Sequence, residues 1–227
     1  AKLLDVVANI LGPNIDGGAI WNVRPKVPES ALMTVPWHQD SGYLSPEGQY
    51  TPQPAAWIPL LDVDADLGCL QVIRGGHLPV GNAPHKVEKK FGDPRSWYLY
   101  IDENDLPSGE IVTCAMRRGS VLLIDENMPH RGLVNRTDRV RWALDIRWQK
   151  PSDPTGLEGV LMRGPSMRRS AEPGFYPDVE GWAKLEREKY DAWVKRDGFD
   201  SLEGGIDGAW YFARWDPDFR ETELIRE

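Results

Sequence analysis

Cysteine is almost missing from this chain. Cys69 and Cys114 are the only two among 227 residues, too few for a disulfide framework and wrongly spaced for structural zinc. Long apolar runs are missing as well. A stretch such as Val121-Leu122-Leu123-Ile124 falls far short of the ~20 residues that cross a bilayer as a helix, so no membrane span is expected. Positive charge is in deficit, with 27 lysines and arginines against 35 aspartates and glutamates and a net charge of −8. That balance disfavours nucleic acid and anionic membrane surfaces as partners. No secretory leader opens the chain, which makes a reducing cytoplasm the expected compartment. The chain starts at Ala1 in mid-helix style, so upstream residues are expected to be missing from this sequence.

What is present reads as one domain over residues 1–227, with 41% hydrophobic residues and enough length for a full core. Residues 3–11 look helical and are stopped by Gly12-Pro13. Extended runs follow at about 18–24, 55–61, 69–73, 97–101, 110–116, 119–124, 130–134 and 139–148. Pro, Gly and Asp clusters separate them, and they do not alternate with helices. An all-β core of roughly 18–150 is expected, an antiparallel double-stranded β-helix (a cupin-like jelly roll) with flanking α-helices. Residues 151–227 read as an irregular and helical extension. Within it, Asp178 caps a helix to about Arg196, with Val179, Trp182, Tyr190, Trp193 and Val194 broadly on one side. An aromatic tail (Trp210, Tyr211, Phe212, Trp215 and Phe219) is too apolar for a free linker and should pack on the barrel or on a second subunit.

Histidine is scarce too: His38, His77, His85 and His130 are the four, so each can be weighed singly. His38-Gln39-Asp40 puts an imidazole and a carboxylate two residues apart in an extended-looking segment. In a strand both leave the backbone on one face and converge. That is how a chain presents two ligands of a two-histidine-one-carboxylate metal centre, and His130 is the candidate third.

His130 opens a segment that reads almost residue by residue. Asn135-Arg136-Thr137-Asp138 is a turn-type cluster between extended runs. If it closes a hairpin, His130 faces Ala143 and Gly132 faces Arg141. Arg141 then stands on the His130 face, one diagonal step of about 7 Å away. Along the returning strand Val140, Trp142, Leu144, Ile146 and Trp148 alternate with Arg139, Arg141, Ala143, Asp145 and Arg147. The polar row serves equally as a solvent face or as the lining of a barrel mouth.

Four segments together carry a family resemblance: Val35 to Asp40, Ala56 to Val63, Gly68 to His77, and His130 to Arg141. In this order, across roughly residues 18–150, they resemble the phytanoyl-CoA dioxygenase family of non-haem Fe(II), 2-oxoglutarate-dependent oxygenases. The resemblance implies that His38, Asp40 and His130 bind Fe(II). It implies that Arg141 binds the far carboxylate of 2-oxoglutarate, that Trp57 lines the cosubstrate pocket, and that an upstream contact falls near Asn22. Dioxygen would be the co-oxidant, succinate and CO2 the by-products, and one hydroxyl would enter a small-molecule substrate. A carboxylate at Asp40 favours hydroxylation over halogenation. Two departures stand out. Many members carry a serine two residues after the distal histidine, assisting the arginine, where this chain has Gly132. The family's Pro-Gly-Ser-His reads Arg74-Gly75-Gly76-His77 here.

Trp37, Tyr43, His85 and Arg147 are further candidates for substrate contact, with core packing, surface exposure or an ion pair with Asp145 or another acidic residue as the plain alternatives. His77, closing a Gly-Gly turn, reads as structural. Two other functions fit part of the pattern. One is a cupin-like site holding another divalent metal for hydrolysis or isomerisation, and the other is a non-catalytic jelly-roll binding module. Arg141 and Trp57 separate them, since a cosubstrate arginine has a purpose only in the oxygenase. A monomer or a homodimer is expected, with a small-molecule substrate as the partner.

Overall fold

The computed structural model describes residues 2–18, 20–30, 33–78, 81–89, 97–156 and 163–197. In chain order its elements are α1 (Lys2–Leu11), β1 (Ile15–Gly17), β2 (Asn22–Lys26), β3 (Ala55–Pro59), β4 (Leu70–Ile73), β5 (Lys86–Lys89) and β6 (Trp97–Tyr100). After these come β7 (Ile111–Cys114), β8 (Leu122–Ile124), β9 (His130–Gly132), β10 (Arg141–Gln149), β11 (Ser166–Arg168) and α2 (Val179–Asp197). Each of the eight extended runs expected from sequence overlaps a strand, the first only at residues 22–24. β1, β5 and β11 are additional, being only three or four residues long and too short for alternation to register. The aromatic tail lies outside the described residues, as do Gly198, expected from sequence to stop the second helix, and the side chains at 190, 193 and 194.

Chain contacts divide the molecule into two compact units. The first takes the described residues of Ala1–Trp21, Leu44–Ala55 and Ile146–Ala209, and the second those of Asn22–Tyr43 and Ala56–Asp145. In the first unit α1 buries Val7 and Leu11, one turn apart on a single face. It stops at Gly12, which takes φ 91° and returns its N–H to Ala8 O at 2.9 Å. β1 pairs antiparallel with β11 and with the end of β10 (Asp16↔Gln149, Gly17↔Trp148). Asp16, 3% exposed, is held by Arg163 at 3.2 Å and by a closer contact from Arg169. At the start of α2 the Asp178 carboxylate accepts the Gly181 N–H at 2.8 Å, the N-cap expected from sequence.

The second unit holds two sheets and a hairpin. One sheet runs β2–β10–β3–β8, the other β7–β4–β9, and β5 pairs with β6. The β2–β10, β4–β7, β4–β9 and β5–β6 pairings are antiparallel. Trp57 on β3 and Ala143 on β10 join Leu70 on β4, together with Cys69, Leu67 and Val63, in one apolar cluster. The core of this unit therefore lies between its two sheets, as the alternating strands require.

One expectation fails here. β9 and β10 are not partners in a hairpin: β9 pairs with β4 (Val72↔His130, Leu70↔Gly132), while β10 pairs with β2 (Arg141↔Lys26 to Asp145↔Asn22). The intervening turn residues are still what they seemed. Asn135, 1% exposed, accepts from the Thr137 N–H and hydroxyl and donates to Lys26 O and Arg139 O. That side chain anchors a connection that changes sheets instead of a tight return. Burial alternates only at the start of β10, where Arg141 and Ala143 are 3% and 0% exposed and Trp142 is 45% exposed; at its far end Trp148, from the apolar row, is buried as well.

Candidate metal centre

His38 and His130 meet through their backbones before their side chains meet. Each N–H donates to the other's carbonyl, at 3.0 and 2.9 Å, so the two residues form an isolated antiparallel bridge. Directly opposed residues in such a bridge put their side chains on one face. The imidazole centroids lie 4.2 Å apart with planes at 50°. Asp40 arrives by another route than the expected strand period. It begins a 3-10 turn, Asp40–Tyr43, which brings its carboxylate to 3.8 Å from His38 Nε2. The ligating atoms of His38, Asp40 and His130 all lie within 4.8 Å of one another.

Both imidazoles are oriented by their own chain. His38 Nδ1 is 2.9 Å from Pro36 O and His130 Nδ1 is 2.9 Å from Met128 O. A carbonyl only accepts, so each Nδ1 carries the proton and each Nε2 keeps a lone pair. Burial, followed by the neighbouring His130, lowers the His38 pKa to about 3, so that ring is neutral at ordinary pH. Two imidazole nitrogens and one carboxylate oxygen, converging with Nδ1 of each ring held on a carbonyl, suit a divalent first-row metal ion.

Gln39, the residue between the first two ligands, is 2% exposed and clamps the site. Its side chain donates to Asn127 O at 2.7 Å and accepts from Ala83 N–H at 2.8 Å. Its backbone N–H donates to His85 Nε2 at 3.1 Å. Asn127 lies just ahead of His130, so one amide ties both ligand-bearing segments to the loop before β5. His85 is itself 3% exposed, with Nδ1 on Ala83 O at 2.7 Å and its ring against Gly42, where a Cβ would sit 2.8 Å from Nε2. Its Nε2 is spent on a backbone N–H, which makes it a support for the loop.

Arg141, on β10, lies in the same unit as this cluster. It is 3% exposed, its guanidinium carbon lies 5.3 Å from the centre of the Trp57 ring, and its Nε has no hydrogen-bond partner among the described residues. Nη1 reaches only Arg24 O, at 3.4 Å. Burial, then the charge of Arg24, lowers the guanidinium pKa to about 10, which leaves it a cation at neutral pH. Cys69 nearby offers no counter-charge, since burial pushes its thiol up to about 11. No carboxylate pairs with Arg141 among the described residues. A buried cation left this way is a strong attractor for an anion.

The remaining candidates separate. Tyr43 sets its ring edge-on to His38 at 5.9 Å, and its hydroxyl accepts the Leu99 N–H. Trp37 is a core residue with Ile73 and Ile101. It lines a cavity of about 510 Å³ together with Arg131, whose guanidinium stacks 4.8 Å over it; none of the three ligands lines that cavity. Asn22 pairs with Asp145, four rungs along β2 from the residue that opposes Arg141, which is Lys26. Arg147 belongs to the first unit, where its carbonyl accepts from Gly18 N–H and the Trp21 indole. Asp145 pairs with Arg24 at 3.4 Å. His77 Nδ1 is buried and has no partner among the described residues. Reasoning from sequence missed Gln39 and Lys26. The missing serine at Gly132 was the one available signal for the lysine.

Comparison with known proteins accords with this geometry. A 1-deoxypentalenic acid 11-beta-hydroxylase from Streptomyces exfoliatus is 27% identical over 157 residues, 67% of this chain and 53% of the hydroxylase. The chain thus spans about half the length of that relative. Among solved structures, the non-heme monooxygenase ThoJ superimposes with a TM-score of 0.59 at 22% identity, covering 86% of this chain and 74% of ThoJ. EvdO2 from Micromonospora carbonacea var. aurantiaca, complexed with 2-oxoglutarate, gives 0.50 at 22% identity over 74% of this chain and 57% of EvdO2. The epimerase SnoN, in complex with Fe3+, alpha ketoglutarate and nogalamycin RO, gives 0.52 at 19% identity over 69% of this chain and 59% of SnoN. The family model for phytanoyl-CoA dioxygenase (PhyH) matches residues 1–143.

Proposed function

Because the chain belongs to the phytanoyl-CoA dioxygenase family, we propose that it is an Fe(II)- and 2-oxoglutarate-dependent oxygenase of jelly-roll fold that hydroxylates a small molecule. One observation carries this reading beyond the family. In the unit that holds the His38–Asp40–His130 cluster, Arg141 is a buried cation with an unbonded Nε and no carboxylate partner among the described residues. A site for hydrolysis or isomerisation on another metal, or a plain binding module, gives that guanidinium no task. A dicarboxylate cosubstrate does.

His38 and His130 would hold the iron through Nε2 and Asp40 through its carboxylate. Bound there with 2-oxoglutarate, the metal would supply oxidative decarboxylation to succinate and CO2, coupled to hydroxylation by dioxygen. The protein's own part is placement. The carbonyls of Pro36 and Met128 fix both tautomers, and Gln39 holds the two ligand segments at one spacing. The planar fork of Arg141 matches a carboxylate in two directions at once, with the Trp57 face limiting where the guanidinium swings.

The test is anaerobic titration with Fe(II) and then 2-oxoglutarate, following the visible charge-transfer band. A band with the unaltered protein that vanishes in His130→Ala is the expected result. A folded, metal-loaded protein with no band overturns the reading. Once the band is seen, succinate release against candidate small molecules, with product mass, separates hydroxylation from a redox-neutral outcome.

A further inference from the structure

We propose that Lys26 is a second binding cation of the Arg141 pocket, its ammonium contacting the same far carboxylate of 2-oxoglutarate from the place that a side chain at position 132 would fill. The proposal rests on the oxygenase reading and adds a residue that neither the ligand motif nor the arginine motif contains.

Register places the two cations together. Lys26 on β2 is the direct partner of Arg141 on β10, and opposed residues of an antiparallel pair share a face. Both are buried, at 2% and 3% exposed. The lysine reaches toward the metal-bearing strand. A Cβ on Gly132 would stand 2.9 Å from Lys26 Nζ, and Gly132 is two residues beyond His130 on β9, on the same face.

The route of the side chain is shaped for it. Its Cδ passes where a Cβ on Gly68 would come within 2.9 Å, and Gly68 takes φ 77°, a conformation that favours glycine. Nζ donates to Leu133 O at 2.5 Å. Glycines therefore stand at both of the tight approaches to Lys26. A lysine and an arginine paired on one face of two strands can both donate to one carboxylate.

The experiment is calorimetric titration of anaerobic, metal-loaded protein with two probes. One is 2-oxoglutarate; the other is 2-oxobutyrate, which keeps the chelating end and lacks the far carboxylate. Lys26→Met should weaken 2-oxoglutarate about 10- to 100-fold, the range of a hydrogen bond to a charged group. It should leave 2-oxobutyrate and metal affinity within about twofold. Gly132→Ser added to Lys26→Met should recover part of the loss, whereas Gly132→Ser alone should weaken binding because its Cβ meets Nζ. Lys26→Gln is read by the same criteria if the methionine variant does not fold. Undiminished 2-oxoglutarate affinity overturns the proposal while the oxygenase reading stands. Equal losses on both probes also overturn it, by showing a merely structural lysine. No binding of 2-oxoglutarate by unaltered protein overturns the oxygenase reading and this proposal with it.

Discussion

At the histidine end of the site, polar groups are arranged before any ligand arrives. The Nδ1 atoms of His38, His85 and His130 each bond a carbonyl two residues earlier, those of Pro36, Ala83 and Met128. Burial keeps the His38 ring neutral. At the Arg141 end the reverse holds: a guanidinium is buried beside a second arginine and a neutral thiol, with Nε unbonded. One end is complete as folded and ready for a metal, and the other is stable only by suffering an unbalanced charge. The difference shows how a protein prepares for two kinds of ligand. Metal coordination needs lone pairs aimed in advance, which hydrogen bonds can do cheaply. Carboxylate binding needs charge, which cannot be neutralised beforehand without losing the site.

Removing a ligand should give the largest effect. Asp40→Ala or His130→Ala should lower metal affinity by more than about 100-fold, beyond what is lost on mutating groups that merely orient ligands. Competition with a metal chelator measures it, and retained affinity would mean the cluster is not the metal site. Arg141→Met should weaken 2-oxoglutarate about 100-fold yet leave the ligand-free protein as stable or more so, by about 1 kcal/mol, because an uncompensated buried cation is gone. A marked fall in its melting temperature would erase the contrast between the two ends.

Gln39→Ala leaves the Ala83 N–H and the Asn127 carbonyl without their partner. It should cost about 2–3 kcal/mol of stability and about tenfold in metal affinity, read by denaturant unfolding and metal titration. The His38 pKa lies below its ordinary value, so its contribution to stability is full above about pH 6.5 and fades as pH falls toward about 3. Metal-free protein should therefore lose on the order of 1 kcal/mol per pH unit in that window, and His38→Asn should flatten the slope. Trp142→Thr, at an exposed position of β10, should shift stability by less than about 0.5 kcal/mol and leave both ends of the site untouched.

Much of this was legible from local pattern. The alternating run Val140 to Trp148 announced β10, and Gly12-Pro13 announced the end of α1. His38, Asp40 and His130, chosen from the His-x-Asp spacing, the segment that His130 opens and the family resemblance, do cluster. The geometric reasons for the choice fared less well. Asp40 converges through a 3-10 turn and not a strand period, and Arg141 stands beside Lys26 on β2, not across a hairpin from β9. His85 looked like a loop histidine open to substrate, but packing against Gly42 and the Gln39 N–H buries it.

Side-chain period, turn chemistry and donor type are properties of a few neighbouring residues, and those the sequence by itself determined: where strands run, where they stop, and which groups are able to bind a metal. Strand partnership is a property of distant segments. Gln39 meets Asn127 and Lys26 meets Arg141 only because β9 chose β4 and β10 chose β2. That choice depends on which faces bury the Trp57–Leu70–Ala143 cluster between two sheets, and burial is decided by the whole fold at once.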